Sequence, residues 1–227
     1  MKTYLSSKEI QAMQDAAGYL RDRIIIAFYA ETGCRVSELL GVTVEQIDFK
    51  GKAVLIPHLK RGIHKTCPKC GRRGGRSTYF CSRCGADMSK VEAEGIEQRS
   101  RLINLSDKLL AAIREYIKSN NLKPTDRLIN LSRQQVYYIV RDLAEKAGLK
   151  GRMILNPETG KNHYVHPHNF RDALAVDWLK EEGDADGMKA LQQQLGHRSF
   201  ETTARYNKLN PETTRDLSEK IRKKRFG

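Results

Sequence analysis

Two Cys-x-x-Cys pairs stand in the first half of the chain, Cys67-Pro-Lys-Cys70-Gly and Cys81-Ser-Arg-Cys84-Gly, with ten residues between them. Each pair can grip one edge of a metal, and the glycine after it allows the tight turn that aims backbone amides at the thiolates. Four thiolates favour tetrahedral zinc over harder cations. An iron–sulfur cluster and a redox dithiol are the other readings of the same spacing. So short a segment has almost no core, and metal binding would supply its folding energy, about 10–16 kcal/mol in comparable peptides. With all four ligands from protein and no open position, the site is structural. The remainder of the chain must therefore fold around an inserted zinc ribbon over residues 64–88.

The flanks are patterned mainly as helices. SSKEIQAMQDAAGYL opens with serines and places Glu9 near the first turn, an N-cap followed by an amphipathic helix. RDRIIIAFYAETG is apolar nearly all round and reads as a buried helix ended near Gly33. RVSELLGV starts another, in which Arg35 and Glu38 have the spacing of a helical ion pair. EQIDFKGKAVLIPHLKRG has strand character with a turn at Lys50-Gly51-Lys52, and RSRLINLS reads as the next strand. SDKLLAAIREYIKSN and SRQQVYYIVRDLAEKAGL are helices, the second with a buried stripe of Val136, Ile139, Val140 and Leu143. RMILNPETGKNHYV carries glycine and proline turn signals and is expected to be a loop, with His163 and His166 as loop histidines. PETTRDLSEKIRKKRFG gives a short helix and a basic end. Cys34 reads as a small buried residue. The fold class is α+β, mainly α, with a small antiparallel sheet.

Lys and Arg number 41 against 27 Asp and Glu, a net charge of +14, and nucleic acid is the commonest partner for such a balance. No apolar run approaches the ~18 residues of a membrane span, and the start lacks a signal-peptide core, so the expectation is a cytoplasmic protein without membrane contact. Cysteines held as metal ligands rather than disulfides fit that compartment.

The stretch from His166 to Tyr206 concentrates groups suited to one chemistry. His168 and Arg171, three residues apart on one helix face, can hold a phosphate, the arginine as a two-pronged donor and the histidine as a proton handler. His197 follows in LGH, and nine residues beyond it Tyr206 offers a phenol that can attack a phosphate once deprotonated. Singly, each of these is more often a packing residue.

Taken in order, TGCRVSELLGV, HNFR, LGH and TARY resemble the tyrosine recombinase (phage integrase) family, whose members carry such motifs at about this spacing. The resemblance covers most of the chain and implies a catalytic domain over residues 1–227, with the amino-terminal core-binding domain expected to be missing from this chain. It implies site-specific cutting and rejoining of DNA strands through a 3′-phosphotyrosyl intermediate. Arg35 and Arg171 would steady charge on the phosphate, His168 would take the proton of Tyr206, and His197 would donate to the phosphate. The family's catalytic lysine sits on a β-hairpin about this far beyond the first arginine, which points to Lys60, with Lys65 the nearest rival. No catalytic metal and no ATP are implied; zinc is structural. The partners implied are double-stranded DNA at a specific site and further copies of the chain, two to four on DNA. Asp172 stands where many members have a histidine, a departure that touches local hydrogen bonding. A type IB topoisomerase-like nicking-closing enzyme is the alternative within this chemistry, and a DNA-binding regulator that no longer cuts is the alternative outside it. The zinc ribbon falls at the hairpin tip, where Lys60, Arg61, Lys65, Lys69, Arg72, Arg73, Arg76 and Arg83 crowd together, and contact with DNA is expected there, with a solvated ribbon used for protein contacts as the alternative.

Overall fold

The computed structural model of the protein describes residues 3–57, 64–75, 77–93, 100–151, 153–155, 160–197, 199–204, 206, 219 and 222–224. The chain divides into two units, Met1–Ile56 with Arg101–Gly227, and Pro57–Ser100. The second is wider than the 64–88 segment expected from the cysteines.

In the first unit, α1 (Ser7–Asp15) begins where Glu9 accepts from the Ser6 amide at 2.8 Å, half of a capping box. In α2 (Leu20–Thr32), Ile24, Ile25, Ile26, Phe28 and Tyr29 are all fully buried. A helix so covered has no solvent stripe, which is why its sequence shows no helical alternation. At roughly 1.5–3 kcal/mol for each large apolar side chain, this burial anchors the helix. Gly33 then ends α2 in the left-handed region at φ 58°, its amide donating to the Tyr29 carbonyl at 2.9 Å. Cys34 is buried, which pushes its thiol up to about 12. The one-turn α3 (Val36–Leu39) follows.

Strands β1 (Ile47–Asp48) and β2 (Ala53–Pro57) pair antiparallel across a turn in which Asp48 accepts from the amides of Lys50 and Gly51, each at 2.9 Å.

The second unit contains the antiparallel pair β3 (His64–Thr66) and β4 (Arg73–Gly75) and two knuckles built alike. The Cys67 amide donates to the Arg72 carbonyl, and the Gly71 amide returns to the Cys67 carbonyl; Cys81, Ala86 and Gly85 repeat both bonds. Gly71 and Gly85 adopt φ 70° and 66°, as such turns require. The core of this unit is Cys67, Cys81 and Met88. Lys65 is buried, and its ammonium donates to the Met88 carbonyl at 2.9 Å.

Back in the first unit, β5 (Ser100–Asn104) lies beside β2 in the sheet order β1-β2-β5. Helix α4 (Asp107–Ser119) is capped by Ser106, whose hydroxyl accepts from the Leu109 amide. Helix α5 (Arg133–Ala144) buries Val136, Val140 and Leu143 fully and Ile139 in part, and ends in a π turn at Glu145–Leu149. The segment read as a loop instead contains an antiparallel pair, β6 (Met153–Leu155) and β7 (Asn162–Tyr164). Its glycine and proline sit between two three-residue strands rather than marking one loop, and His163 is a strand residue. Helices α6 (His168–Glu181), α7 (Ala185–Leu195) and α8 (Phe200–Ala204) complete the unit. The helix expected after Tyr206 lies outside the described residues apart from 219 and 222–224. Among the described residues, no helix is long and apolar enough to cross a membrane.

Candidate active site

The site begins with a buried carboxylate. Glu38, on α3, is 1% exposed, and Arg35 donates to one of its oxygens at 2.9 Å. Its other oxygen accepts from Arg101, at the start of β5, at 2.8 Å. Burial alone would raise the Glu38 pKa, but Arg101 and then Arg35 outweigh it and hold the group at about 2. Arg101 also donates through Nε to the Gln194 carbonyl at 2.9 Å. It thereby ties the Arg35 helix to the end of α7. Arg35 keeps 32% of its side chain exposed and is the more accessible of the two guanidinium groups.

Arg171 is 1% exposed. Its Nη1 donates to the Gly33 carbonyl at 2.7 Å and its Nη2 to the Leu195 carbonyl. Both carbonyls belong to the ends of helices, α2 and α7, where the helix dipole favours a cation. The two-pronged donation expected toward a phosphate is thus directed at main chain. Nε of Arg171 is buried without a hydrogen-bond partner among the described residues. Burial presses the Arg171 pKa down, and Tyr206, Arg35, Glu38 and Arg101 all lie close enough to act on it electrostatically. The two glycines that end these helices are required by the close approach. A Cβ on Gly33 would lie 2.8 Å from Leu195, and one on Gly196, at φ 66°, 3.0 Å from Arg101 Nη1.

His197 follows Gly196. Its Nδ1 lies 2.8 Å from the hydroxyl of Thr203, which is fully buried, and its ring stacks on Tyr206 with centroids 5.9 Å apart. Tyr206 is also fully buried, within a cluster that includes Val176, Leu191 and Leu195. His168 heads α6 on the exposed side, one turn from Arg171. Behind it, His163 and His166 stack at 4.5 Å, and His166 meets His168 edge-on at 6.5 Å. Burial lowers the His166 pKa, favouring its neutral ring.

Arg35, Arg171, His197 and Tyr206 are thus brought together, with His168 one helical turn away on α6. Lys60 lies outside the described residues. Arg101, Thr203 and the stacked histidine pair were not singled out from the sequence. Arg101 could have been suspected, because a carboxylate buried beside one arginine has a second oxygen to satisfy. Thr203 carried no signal beyond its place in TTARY.

In the second unit, the Sγ atoms of Cys67, Cys70, Cys81 and Cys84 lie within 4.8 Å of one another and could hold a metal ion. The Cys67–Cys84 and Cys70–Cys81 sulfurs are 3.6 and 3.5 Å apart. Amides of Arg83 and Cys84 pull the Cys81 thiol down, while Cys70, despite the Arg72 amide, is pushed up by burial and by the sulfurs around it.

The fold is that of a tyrosine recombinase catalytic domain. The crystal structure of XerA recombinase superposes with a TM-score of 0.66 at 22% identity, over 98% of this chain and 66% of that one. The Tn1549 transposon integrase, solved in complex with transposon right end DNA, gives 0.58 at 18% identity, over 91% and 61%. The chain belongs to the phage integrase family, whose model matches residues 3–69 and 82–213 and breaks off within the cysteine unit. Tyrosine recombinase XerD of Bifidobacterium longum is 30% identical over 217 residues, 92% of this chain; the chain spans 59% of the length of that relative.

Proposed function

We propose that the chain cuts and rejoins DNA strands at a specific site, with Tyr206 as nucleophile. Its phenol oxygen forms a bond to the scissile phosphorus as the bond to the 5′-oxygen breaks, leaving a 3′-phosphotyrosyl link and a 5′-hydroxyl. The phenol proton passes to His168, and the 5′-oxygen takes one from Lys60. One phosphoester replaces another, so no ATP is consumed. The observation that carries this reading is the buried, unpartnered Nε of Arg171 beside Tyr206 and Arg35. A buried donor without a partner costs roughly 1–3 kcal/mol, and a phosphate oxygen would satisfy it. Thr203 occupies Nδ1 of His197, which directs Nε2 to the phosphate.

Lys65 is engaged with the Met88 and Ser89 carbonyls, at 2.9 and 3.4 Å, which favours Lys60 as the acid. The cysteine cluster suits structural zinc. Zn–S bonds of about 2.3 Å set tetrahedral S···S distances near ~3.8 Å, close to the 3.5 and 3.6 Å present. Duplex DNA is the substrate, and recombination needs further copies of the chain on it, two to four; the setting is the cytoplasm. A nicked duplex carrying the chain's own site should trap a covalent adduct that survives a denaturing gel. Tyr206→Phe should abolish it, and an adduct formed through Tyr137 or Tyr138 would overturn the assignment.

A further inference from the structure

The cysteine unit carries charge that its own fold does not use. Between Pro57 and Ala86 there are eight Lys and Arg and no Asp or Glu; the acids of this unit all fall between Asp87 and Glu97. Of the cations, Lys65 is turned inward onto main-chain carbonyls, whereas Lys69, Arg72, Arg73 and Arg83 are exposed. The repeat of the two knuckles sets Lys69 and Arg83 at the same position, just before the second cysteine of each. A divalent metal with four thiolates would carry a net charge of −2, which these two cations offset. Arg72 and Arg73 have no such task.

Aromatic rings lie in the same stretch. Tyr79 and Phe80 are 65% and 67% exposed, although a unit with so few apolar residues would gain from burying them. They join the turn after β4, where the Thr78 amide donates to the Gly75 carbonyl, to the second knuckle. Guanidinium groups and open rings on one short chain segment match a phosphate backbone with sugars beside it. An acidic protein surface would match the charge but leave both rings without a counterpart.

We propose that this unit is a second DNA-contacting module, in which Arg72 and Arg73 take backbone phosphates and Tyr79 and Phe80 pack against the sugars of the same duplex. The inference rests on the recombinase reading only in taking DNA as the partner. The test uses the whole, metal-loaded chain and a labelled duplex of mixed sequence, titrated over a range of salt. Arg72→Gln/Arg73→Gln should weaken binding and lower the slope of log affinity against log salt by about 2, one for each phosphate that is no longer neutralised. Tyr79→Ala/Phe80→Ala should weaken binding about tenfold with the slope unchanged, because packing of rings on sugars releases no counterions. Ser77→Glu/Ser82→Glu adds charge at exposed positions and should also weaken binding, which guards against a misfolded arginine variant. If all three bind as the parent does while keeping their metal, the module does not touch DNA and its face is left for a protein. If the parent itself fails to bind duplex at low salt, the recombinase reading falls instead.

Discussion

Arg101 reaches Glu38 from 63 residues further along the chain, and the two are joined at 2.8 Å. Glu38 is thereby shared between a guanidinium of its own helix and one from a strand. Removing the carboxylate would leave two partly buried cations facing each other. Breaking a buried pair from one side costs about 3–5 kcal/mol, so Glu38→Gln should lower the unfolding free energy, read from urea titration, by a comparable amount. The pH dependence has a definite sign. Glu38 is held at about 2 against an ordinary 4.5. Its contribution to stability is therefore complete above about pH 4.5 and lost as pH falls toward 2. Acid unfolding followed by circular dichroism should show that loss in the parent and a shallower dependence in Glu38→Gln.

Arg101→Ala should slow cleavage with little change in DNA affinity, since Arg101 meets Glu38 and the Gln194 carbonyl rather than solvent. Single-turnover cleavage measured alongside binding separates the two. An equal loss in both would mean that Arg101 itself touches DNA.

Lys60 should act on the leaving group. An alkoxide needs a proton as its bond to phosphorus breaks, and a general acid typically contributes ~10²–10⁴-fold. A bridging sulfur in place of the 5′-oxygen leaves without protonation. Lys60→Ala should therefore be slow on ordinary DNA and near the parent on the sulfur-bridged substrate, with Arg35→Ala slow on both. Rescue of Lys65→Ala in place of Lys60→Ala would make Lys65 the acid.

Metal analysis of the purified chain should find one zinc. Chelation should unfold Pro57–Ser100, whose core is otherwise little more than Met88 and four cysteines, and leave the larger hydrophobic core folded. On heating, the chelated protein should keep the transition of the larger core unshifted and lack the one that belongs to the cysteine unit. Less than half an equivalent of any metal, with reduced thiols, would count against the site.

Much of this was legible in the sequence. Ser6 with Glu9, the apolar run of α2 and the glycine at position 33 announce their elements because each is a local device, complete within a few residues. The two knuckles are legible for the same reason. The β6–β7 pair was not, since three-residue strands are too short to show alternation and their turn residues read as a loop. Arg101 was hidden by distance along the chain: only the sheet order β1-β2-β5 carries it to Glu38. Motif spacing named Arg171 and Tyr206 but gave no hint of their burial. HNFR suggested a fork open to an anion, and the fork is closed on the carbonyls of Gly33 and Leu195.

That closure also bears on when the site comes into being. The bond from Arg171 to Gly33 spans 138 residues, and those from Arg101 to Gln194 and Glu38 span 93 and 63. Bonds between groups so distant in sequence form late, because loop closure must precede them. A ribosome-bound chain that has emerged only as far as Arg101 can build α1 and α2 but has neither the α7 carbonyl nor the tyrosine. On the proposed chemistry, a chain that has not yet reached Tyr206 has no nucleophile with which to attack DNA.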